Sequence, residues 1–328
     1  MKVAYLLPST SLHGGNRVPA DQGKELIRRG HDVEIWSPSK KPKWHTSTVK
    51  YVKADIFAKE LPCYDVCIAT FWPTASPACA TKADQIFHLC QGFEGIHREN
   101  AQQLPLIDEA YLMPTRKLVV SHHLSDILFE RYGVPTTFIG TGINRDTFRP
   151  GWRVEESKKL RIGVVGSFEI RPKGVEEVLS GLRLARDKGY SFELWRASST
   201  PYRDEERQLG LRPRFFTQLS TDEMAGFYRS IDCLIHGSWN EEGFGLPPLE
   251  AGACGCAVAA TDIDPMKAFS EVAILRFPPA REDVVPDVVE RLSSSATRQD
   301  LIAGMHRDLP LFDIRTVVDR LESAFGIT

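Results

Sequence analysis

The sequence predicts an α/β protein with two Rossmann-like domains that face each other across a cleft. Short apolar runs alternate with amphipathic segments, which is typical of parallel sheets covered by helices. A polar segment at 150–159 interrupts this alternation, and the same pattern then starts again. A chain of 328 residues also exceeds what one hydrophobic core usually supports. We therefore predict an N-terminal domain over 1–150, a C-terminal domain over 151–310 and a final helix over 311–328 that packs back toward the N-terminal domain.

The N-terminal domain opens with a predicted strand, loop, helix and strand. These elements are expected at 2–7, 8–15, 17–29 and 32–37, with further strands at 49–52, 65–70, 85–91, 117–121 and 136–140. Gly14 and Gly15 end the first loop and would let a ligand approach the backbone closely. The G-x-G-x-x-G spacing of a dinucleotide site is absent, and an ordinary tight turn is the alternative interpretation.

Polar side chains follow the strand predicted at 85–91. Gln91 ends this strand, and Glu94 follows it after Gly92. Ligands of open parallel sheets bind at the carboxyl ends of strands, so Gln91 is a candidate site residue.

The C-terminal domain repeats the pattern. Strands are predicted at 160–166, 191–197, 214–218, 233–238, 257–261 and 273–277, and helices at 174–189, 220–230 and 314–325. Ser220 and Glu223 have the spacing of a capping box, which predicts the start of the second of these helices.

The stretch from Asn240 to Gly252 lies at the centre of the predicted C-terminal site. Pro247 and Pro248 suit the first turn of a helix, where a missing N–H group costs little. The N-terminus of such a helix favours an anion such as a phosphate, and the flanking Glu242 and Glu250 suit the hydroxyl groups of a sugar. A solvated turn followed by an ordinary helix is the alternative.

Composition excludes several classes of protein. The net charge of −2 implies no general attraction to nucleic acid, and no apolar run is long enough to cross a membrane. The seven cysteines lack paired metal-binding spacing, which favours reduced thiols and a cytoplasmic location. Lys40, Lys41, Lys43 and Trp44 could contact an anionic membrane surface, although a solvated loop is favoured. Nothing in the sequence indicates the oligomeric state.

Several motifs, in order, resemble the retaining glycosyltransferases of family four (group 1), which have the GT-B fold. The matching segments are Gly14-Gly15, Gly30–Val33, Thr141–Asn144 with Phe148–Pro150, Arg171–Gly174, and Glu242–Glu250 with Cys254-Gly255. The resemblance covers nearly the whole chain. It implies a sugar transferase that uses a nucleotide diphosphate sugar, with the acceptor bound by the N-terminal domain and the donor by the C-terminal domain.

The resemblance also implies roles for individual residues. The catalytic set would be Glu242, Lys173, Arg171 and Gln91, and the donor-binding set Gly14, Gly15, Ser167, Arg196, Phe216, Gly243, Phe244, Gly245, Leu246 and Glu250. By the same resemblance, Glu242 would contact hydroxyl groups of the donor sugar and Glu250 the ribose, and the base would lie near Arg196 and Phe216. Lys173 and Arg171 would neutralise the diphosphate, so neither a metal nor another cofactor is expected.

Three departures from the family pattern are present. Ser167 stands where an arginine is common, Gln91 stands where a histidine often lies, and Thr141 and Asn144 replace the usual asparagine and aspartate. Ser167 and Gln91 leave a nucleotide-sugar-binding subunit without catalysis as one alternative, and a nucleotide-sugar epimerase, which shares the two-domain architecture, is another. Asp262 and Asp264 have the D-x-D spacing of metal-dependent transferases, but a metal role there is disfavoured.

Overall fold

A computed structural model describes residues 1–11, 14–42, 48–58, 60–151 and 159–327. It divides into two compact units. One contains Met1–Gly142 and Phe312–Thr328, and the other contains Ile143–Leu311. Most of the linker expected at 150–159 lies outside the described residues, as do Lys43 and Trp44 of the basic cluster.

The described residues of the N-terminal unit form a seven-stranded parallel sheet with the order β3-β2-β1-β4-β5-β6-β7. Its strands are β1 (Lys2–Leu6), β2 (Asp32–Ser37), β3 (Lys50–Lys53), β4 (Tyr64–Ala69), β5 (Ala83–Cys90), β6 (Arg116–Val119) and β7 (Thr136–Phe138). Its first helices are α1 (Gly14–Arg28), α2 (Ala75–Cys79), α3 (Leu104–Leu112) and α4 (His122–Tyr132).

The described residues of the C-terminal unit form a six-stranded parallel sheet with the order β10-β9-β8-β11-β12-β13. The strands are β8 (Leu160–Val165), β9 (Phe192–Ser198), β10 (Arg214–Thr217), β11 (Cys233–His236), β12 (Ala257–Thr261) and β13 (Leu275–Phe277). The helices are α5 (Val175–Asp187), α6 (Asp204–Gln208), α7 (Thr221–Ser230), α8 (Leu246–Ala253), α9 (Val285–Ser293) and α10 (Ser295–Asp308). Both units thus have the predicted parallel α/β architecture.

Apolar side chains explain how the C-terminal sheet is covered. Ile162 and Val164 of β8 are buried in one cluster with Val178 and Leu182 of α5. The two helical residues are four apart, so they lie on one face of α5. The predicted capping box also forms, because Ser220 accepts the N–H of Glu223 and caps α7.

The last helix, α11 (Ile314–Ala324), belongs to the N-terminal unit and contacts α1. Arg29 follows α1, and its guanidinium binds Glu25 at 2.9 Å, Asp319 at 2.6 Å and Glu322 at 2.5 Å. One partly buried arginine therefore joins α11 to the first helix of the chain.

The predicted loop over 8–15 is wrong at its end, because Gly14 and Gly15 form the first turn of α1. Pro19 lies inside this helix and has no N–H to donate to the Gly15 carbonyl. Another donor, the amide Nε2 of Gln91, binds this carbonyl at 2.8 Å.

Candidate active site

The candidate site of the C-terminal unit lies at the carboxyl ends of β8 and β11. These neighbouring strands are where the strand order of the sheet reverses, and ligands of open parallel sheets bind outside the strand ends at such a point. The 3₁₀ turn Arg171–Lys173 follows β8, and the loop that contains Glu242 follows β11. The two predicted motifs therefore meet at one edge of the sheet.

Backbone contacts hold these two loops together. The N–H of Trp239 donates to the carbonyl of Pro172 at 2.9 Å. Gly174 has a φ of +57° and lies so close to Gly237 that a Cβ at position 174 would collide with the Gly237 carbonyl. A glycine is therefore required at position 174, and the position of Lys173 is fixed relative to the loop after β11.

Lys173 and Glu242 form an ion pair. Lys173 Nζ lies 2.6 Å from Glu242 Oε2, and the Ser238 hydroxyl donates to the same oxygen at 3.1 Å. The Lys173 side chain is 34% exposed and that of Glu242 is 15% exposed. The lysine side of the pair is therefore accessible to a ligand.

The environment of Glu242 keeps its carboxyl ionised. Burial raises its pKa, but the charge of Lys173, the nearby His236 and the hydrogen bonds from Lys173 and Ser238 outweigh this effect and hold the pKa at about 2. At neutral pH Glu242 is thus an anion that can accept hydrogen bonds from hydroxyl groups.

His236 is a buried neighbour of this pair that the sequence did not identify. It ends β11 and is 2% exposed, and neither ring nitrogen has a hydrogen-bond partner among the described residues. Burial and the charge of Lys173 lower its pKa to about 4, although Glu242 acts in the opposite direction. The imidazole is therefore neutral at physiological pH.

The turn Gly243–Leu246 leads from Glu242 into α8. Gly245 has a φ of +92°, and a Cβ there would lie 2.5 Å from the Met266 side chain, so this position needs glycine. Phe244 is buried against Phe269, with ring centroids 5.6 Å apart. The prolines fall in the first turn of α8, as predicted.

Glu250 lies within α8 and is only 3% exposed. The hydroxyl of Tyr228, from α7, donates to Glu250 Oε2 at 3.0 Å. Tyr228 was not identified from the sequence, because its partner comes from another helix. The contact of Glu250 with a ribose stays a prediction.

Comparisons with known proteins are consistent with this geometry. Residues 159–293 match a family model described as glycosyl transferases group 1. The matched segment includes Lys173, Glu242 and Glu250. Most of the C-terminal unit therefore matches the group 1 glycosyltransferases, which confirms the resemblance that the sequence predicted.

Solved structures show the same fold over whole chains. A sucrose-phosphate synthase from Thermosynechococcus elongatus is 18% identical, with a TM-score of 0.81 over 99% of this chain and 98% of that one. HepE from Anabaena, solved with UDP and glucose, is 14% identical, with a TM-score of 0.78 over 100% of both chains. WaaG, a glycosyltransferase of lipopolysaccharide biosynthesis, is 13% identical, with a TM-score of 0.74 over 98% of this chain and 99% of that one. The GT-B fold is thus confirmed. A search of curated proteins gave no match.

Ser167 of the C-terminal unit lies in a hydroxyl-rich cluster. It is 3% exposed, and its hydroxyl is 2.8 Å from that of Ser199 and 3.4 Å from that of Ser198. The Ser198 hydroxyl in turn accepts the N–H of Thr200 at 3.1 Å. The loops after β8 and β9 are therefore joined by hydroxyl groups at this point.

Arg196 of the same unit is not positioned to contact a nucleotide base, as we had expected it to be. It is fully buried and pairs with the buried Glu206 at 3.0 Å, while its guanidinium also donates to the Ala197 carbonyl at 2.8 Å. In this arrangement Arg196 joins β9 to α6 and presents no exposed atom to a nucleotide base. Phe216 stacks on Trp195 with ring centroids 5.4 Å apart, and its contact with a base stays a prediction.

In the N-terminal unit the structure brings Gln91 and Gly15 together, as described above. Gly14 precedes Gly15 at the start of α1, and the donor contacts of both glycines stay predictions.

The D-x-D pair does not form a metal centre with its described neighbours. Asp262 and Asp264 are exposed, and Asp264 binds Lys267 at 2.6 Å. Among the described residues, no three histidine, cysteine, aspartate or glutamate side chains are grouped to hold a metal ion. Across the same residues, no helix combines the length and apolar character needed to cross a bilayer.

Proposed function

We propose that the protein is a retaining, metal-independent glycosyltransferase. It would transfer a hexose or deoxyhexose from a nucleotide diphosphate sugar to a saccharide, lipid-linked or small-molecule acceptor. The observation that carries this proposal is the Lys173–Glu242 ion pair, which lies where a parallel sheet binds its ligand, within the segment that matches the group 1 glycosyltransferases.

Lys173 and Arg171 supply cations for the leaving diphosphate. An ammonium group has three donors, so Lys173 can bind a phosphate oxygen while it still donates to Glu242. Arg171 is exposed, and its guanidinium lies 4.8 Å from the centre of the Trp239 ring. These two charges would stabilise the negative charge that develops on the leaving group, which is the role of a metal ion in other transferases.

The two glutamates would then bind hydroxyl groups. Glu242 is ionised at neutral pH and would accept hydrogen bonds from the donor sugar. Glu250, oriented by Tyr228, would accept one from the ribose. Because the Glu242 turn leads directly into α8, the positive end of this helix would lie near the diphosphate.

The reaction exchanges one bond at the anomeric carbon. The bond from this carbon to the diphosphate oxygen breaks, and the diphosphate keeps the electron pair. The acceptor oxygen bonds to the same carbon from the same face, and its proton passes to the leaving phosphate. Retention follows from this same-face attack and is drawn from the family resemblance.

Related solved structures support a nucleotide-sugar donor. HepE was solved with UDP-glucose as well as with UDP and glucose, at 12–14% identity to this chain. Its TM-scores of 0.77 and 0.78 indicate that this fold accommodates such a donor.

All seven cysteines are free thiols, which supports a cytoplasmic location.

A donor screen tests the proposal. The protein is incubated with uridine, guanosine, adenosine and thymidine diphosphate sugars plus a mixture of saccharides, and the released nucleoside diphosphate is measured with and without EDTA. We expect release from one nucleotide class, unchanged by EDTA, and proton NMR of the product should show the anomeric configuration of the donor. Release from no donor contradicts the transferase proposal, EDTA sensitivity contradicts metal independence, and inversion contradicts retention.

A further inference from the structure

Glu94 is an acidic residue at the carboxyl end of β5 that the mechanism above does not use. It lies in the N-terminal unit, three residues after Gln91, and begins a short 3₁₀ turn over Glu94–Ile96. Its side chain is partly exposed. A carboxyl group at the end of a parallel strand lies in the region where such sheets bind ligands.

Hydrogen bonds fix both the side chain and the backbone of Glu94. The Tyr111 hydroxyl lies 2.6 Å from Glu94 Oε2 and 3.0 Å from the Gly92 carbonyl. The Asn100 side-chain amide donates to the Glu94 backbone carbonyl at 2.9 Å. The carboxyl group is therefore held in one orientation at an accessible position.

Tyr111 is itself held rigidly. It is fully buried, and its ring stacks on that of Tyr132 with centroids 5.6 Å apart and planes only 5° from parallel. Phe93 packs edge-on against it at 5.4 Å, and the Tyr132 hydroxyl donates to Asp108 at 2.5 Å. Because supporting side chains of this kind limit movement, Tyr111 presents a fixed hydroxyl to Glu94.

The charged groups around Glu94 include no cation that pairs with it among the described residues. Tyr111 of α3 and Cys90 of β5 are its titratable neighbours, Tyr132 of α4 lies behind Tyr111, and Arg131 of α4 is paired with Asp108 at 3.0 Å. Burial raises the pKa of Glu94 to about 7, although the hydrogen bond from Tyr111 acts in the opposite direction. The ionised carboxylate has about four acceptor sites, of which Tyr111 uses one.

We propose that Glu94 binds a hydroxyl group of the saccharide acceptor and that Tyr111 positions the Glu94 carboxylate for this contact. This inference rests on the proposed transferase function, in which a hydroxyl group of the acceptor must be held. An ionised carboxylate is a stronger hydrogen-bond acceptor than a protonated one. Saccharide affinity is therefore expected to increase as the pH rises through neutrality.

The probes are methyl α-glucoside, methyl α-galactoside, methyl α-mannoside and methyl α-rhamnoside. Their dissociation constants are measured by NMR titration of the full chain between pH 5.5 and 8.5, without donor. We expect at least one of them to bind, more tightly at high pH. Glu94→Gln should weaken this binding roughly tenfold at pH 8 and remove its pH dependence.

Tyr111→Phe separates a positioning role from a purely structural one. Loss of its hydroxyl removes a donor that favours the ionised carboxylate, so the midpoint of the pH dependence should move to higher pH. Glu109→Gln, an exposed change on α3, is the matched control and should alter neither affinity nor midpoint. Circular dichroism of each variant shows that the fold is retained.

The outcomes distinguish this inference from the transferase proposal. Binding of none of the four glycosides, or binding that is unchanged in Glu94→Gln at every pH, overturns the role of Glu94. Binding that depends on Glu94 in a protein that releases nucleotide from no donor supports the saccharide site and contradicts the transferase function.

Discussion

Glu242 and Glu94 follow the ends of parallel strands in different units, and their ionisation differs strongly. Each carboxyl group has a hydrogen-bond partner at 2.6 Å, which is the Lys173 ammonium for Glu242 and the Tyr111 hydroxyl for Glu94. Burial raises the pKa of both carboxyl groups, yet the values are about 2 and about 7. The charge of the surrounding groups, and not burial, therefore determines which glutamate is ionised at all physiological pH values.

This difference suits two tasks. Glu242 stays anionic over the whole physiological range, which suits the proposed contact with a donor sugar. Glu94 changes its charge near neutrality, so its proposed contact with an acceptor hydroxyl group would depend on pH.

The largest expected effect comes from Lys173, whose charge maintains the difference. Lys173→Met should lower kcat/KM for the donor at least ~100-fold, because the diphosphate loses its cation. The pKa of Glu242 should also rise, since burial is then less opposed. Steady-state kinetics measure the first effect.

Lys188→Met is the matched control for this change, because Lys188 is exposed and follows α5, at the opposite end of this helix from Lys173. Equal activity of the two variants would contradict the assignment of Lys173.

An intermediate effect is expected on the stability of the N-terminal unit. The folded-state pKa of Glu94, about 7, lies above its ordinary value of 4.5, so folding favours the protonated carboxyl. The contribution of the protonated Glu94 carboxyl to the free energy of unfolding is complete below about pH 4.5 and is lost as the pH rises to about 7. The free energy of unfolding of Glu94→Gln, taken relative to that of the wild type, should therefore be higher at pH 8 than at pH 4.5. The expected difference between the two pH values is about 1–3 kcal/mol.

Urea unfolding at the two pH values measures this change, with Glu109→Gln as the control. The carboxyl of Glu242 should behave oppositely, because its folded-state pKa of about 2 lies below 4.5. Its stabilisation is present above about pH 4.5 and is lost as the pH falls toward 2. The same pH response in Glu94→Gln and the wild type would contradict the comparison.

The smallest expected effect concerns the contact between Gln91 and Gly15. Gln91→Ala should lower the free energy of unfolding by about 1 kcal/mol, because the Gly15 carbonyl loses its hydrogen-bond donor. In a Pro19→Ala background the backbone N–H of residue 19 can donate to this carbonyl. Gln91→Ala should then lower the free energy of unfolding by a smaller amount. A double-mutant cycle measured by urea unfolding should give a coupling energy of about 0.5–1 kcal/mol between the two positions. If the stability effects of the two substitutions were simply additive, the Gln91 contact would not compensate for the missing N–H of Pro19.

Local patterns in the sequence predicted the fold and much of the candidate site. Ser220 and Glu223 marked the start of α7, and the two prolines marked that of α8, because these signals act within a few residues. The two glutamates were selected by the family resemblance, because the local pattern alone left an ordinary turn and helix as the alternative.

Contacts between distant segments could not be predicted in this way. Arg196 was expected to meet a base, but it is buried against Glu206, which belongs to a short helix that the sequence pattern did not reveal. Tyr228 and Tyr111 were missed for the same reason, since each binds a glutamate on another element. Gly14 and Gly15 were assigned to a loop because glycine is typical of turns, but they begin α1.

The return of α11 to α1 has a consequence for biosynthesis. Arg29 is made early, but its partners Asp319 and Glu322 follow nearly three hundred residues later. During translation the C-terminal unit, which is continuous in sequence, can complete its core first. Arg29 and the face of α1 that contacts α11 therefore stay uncovered until the residues after Phe312 have been synthesised.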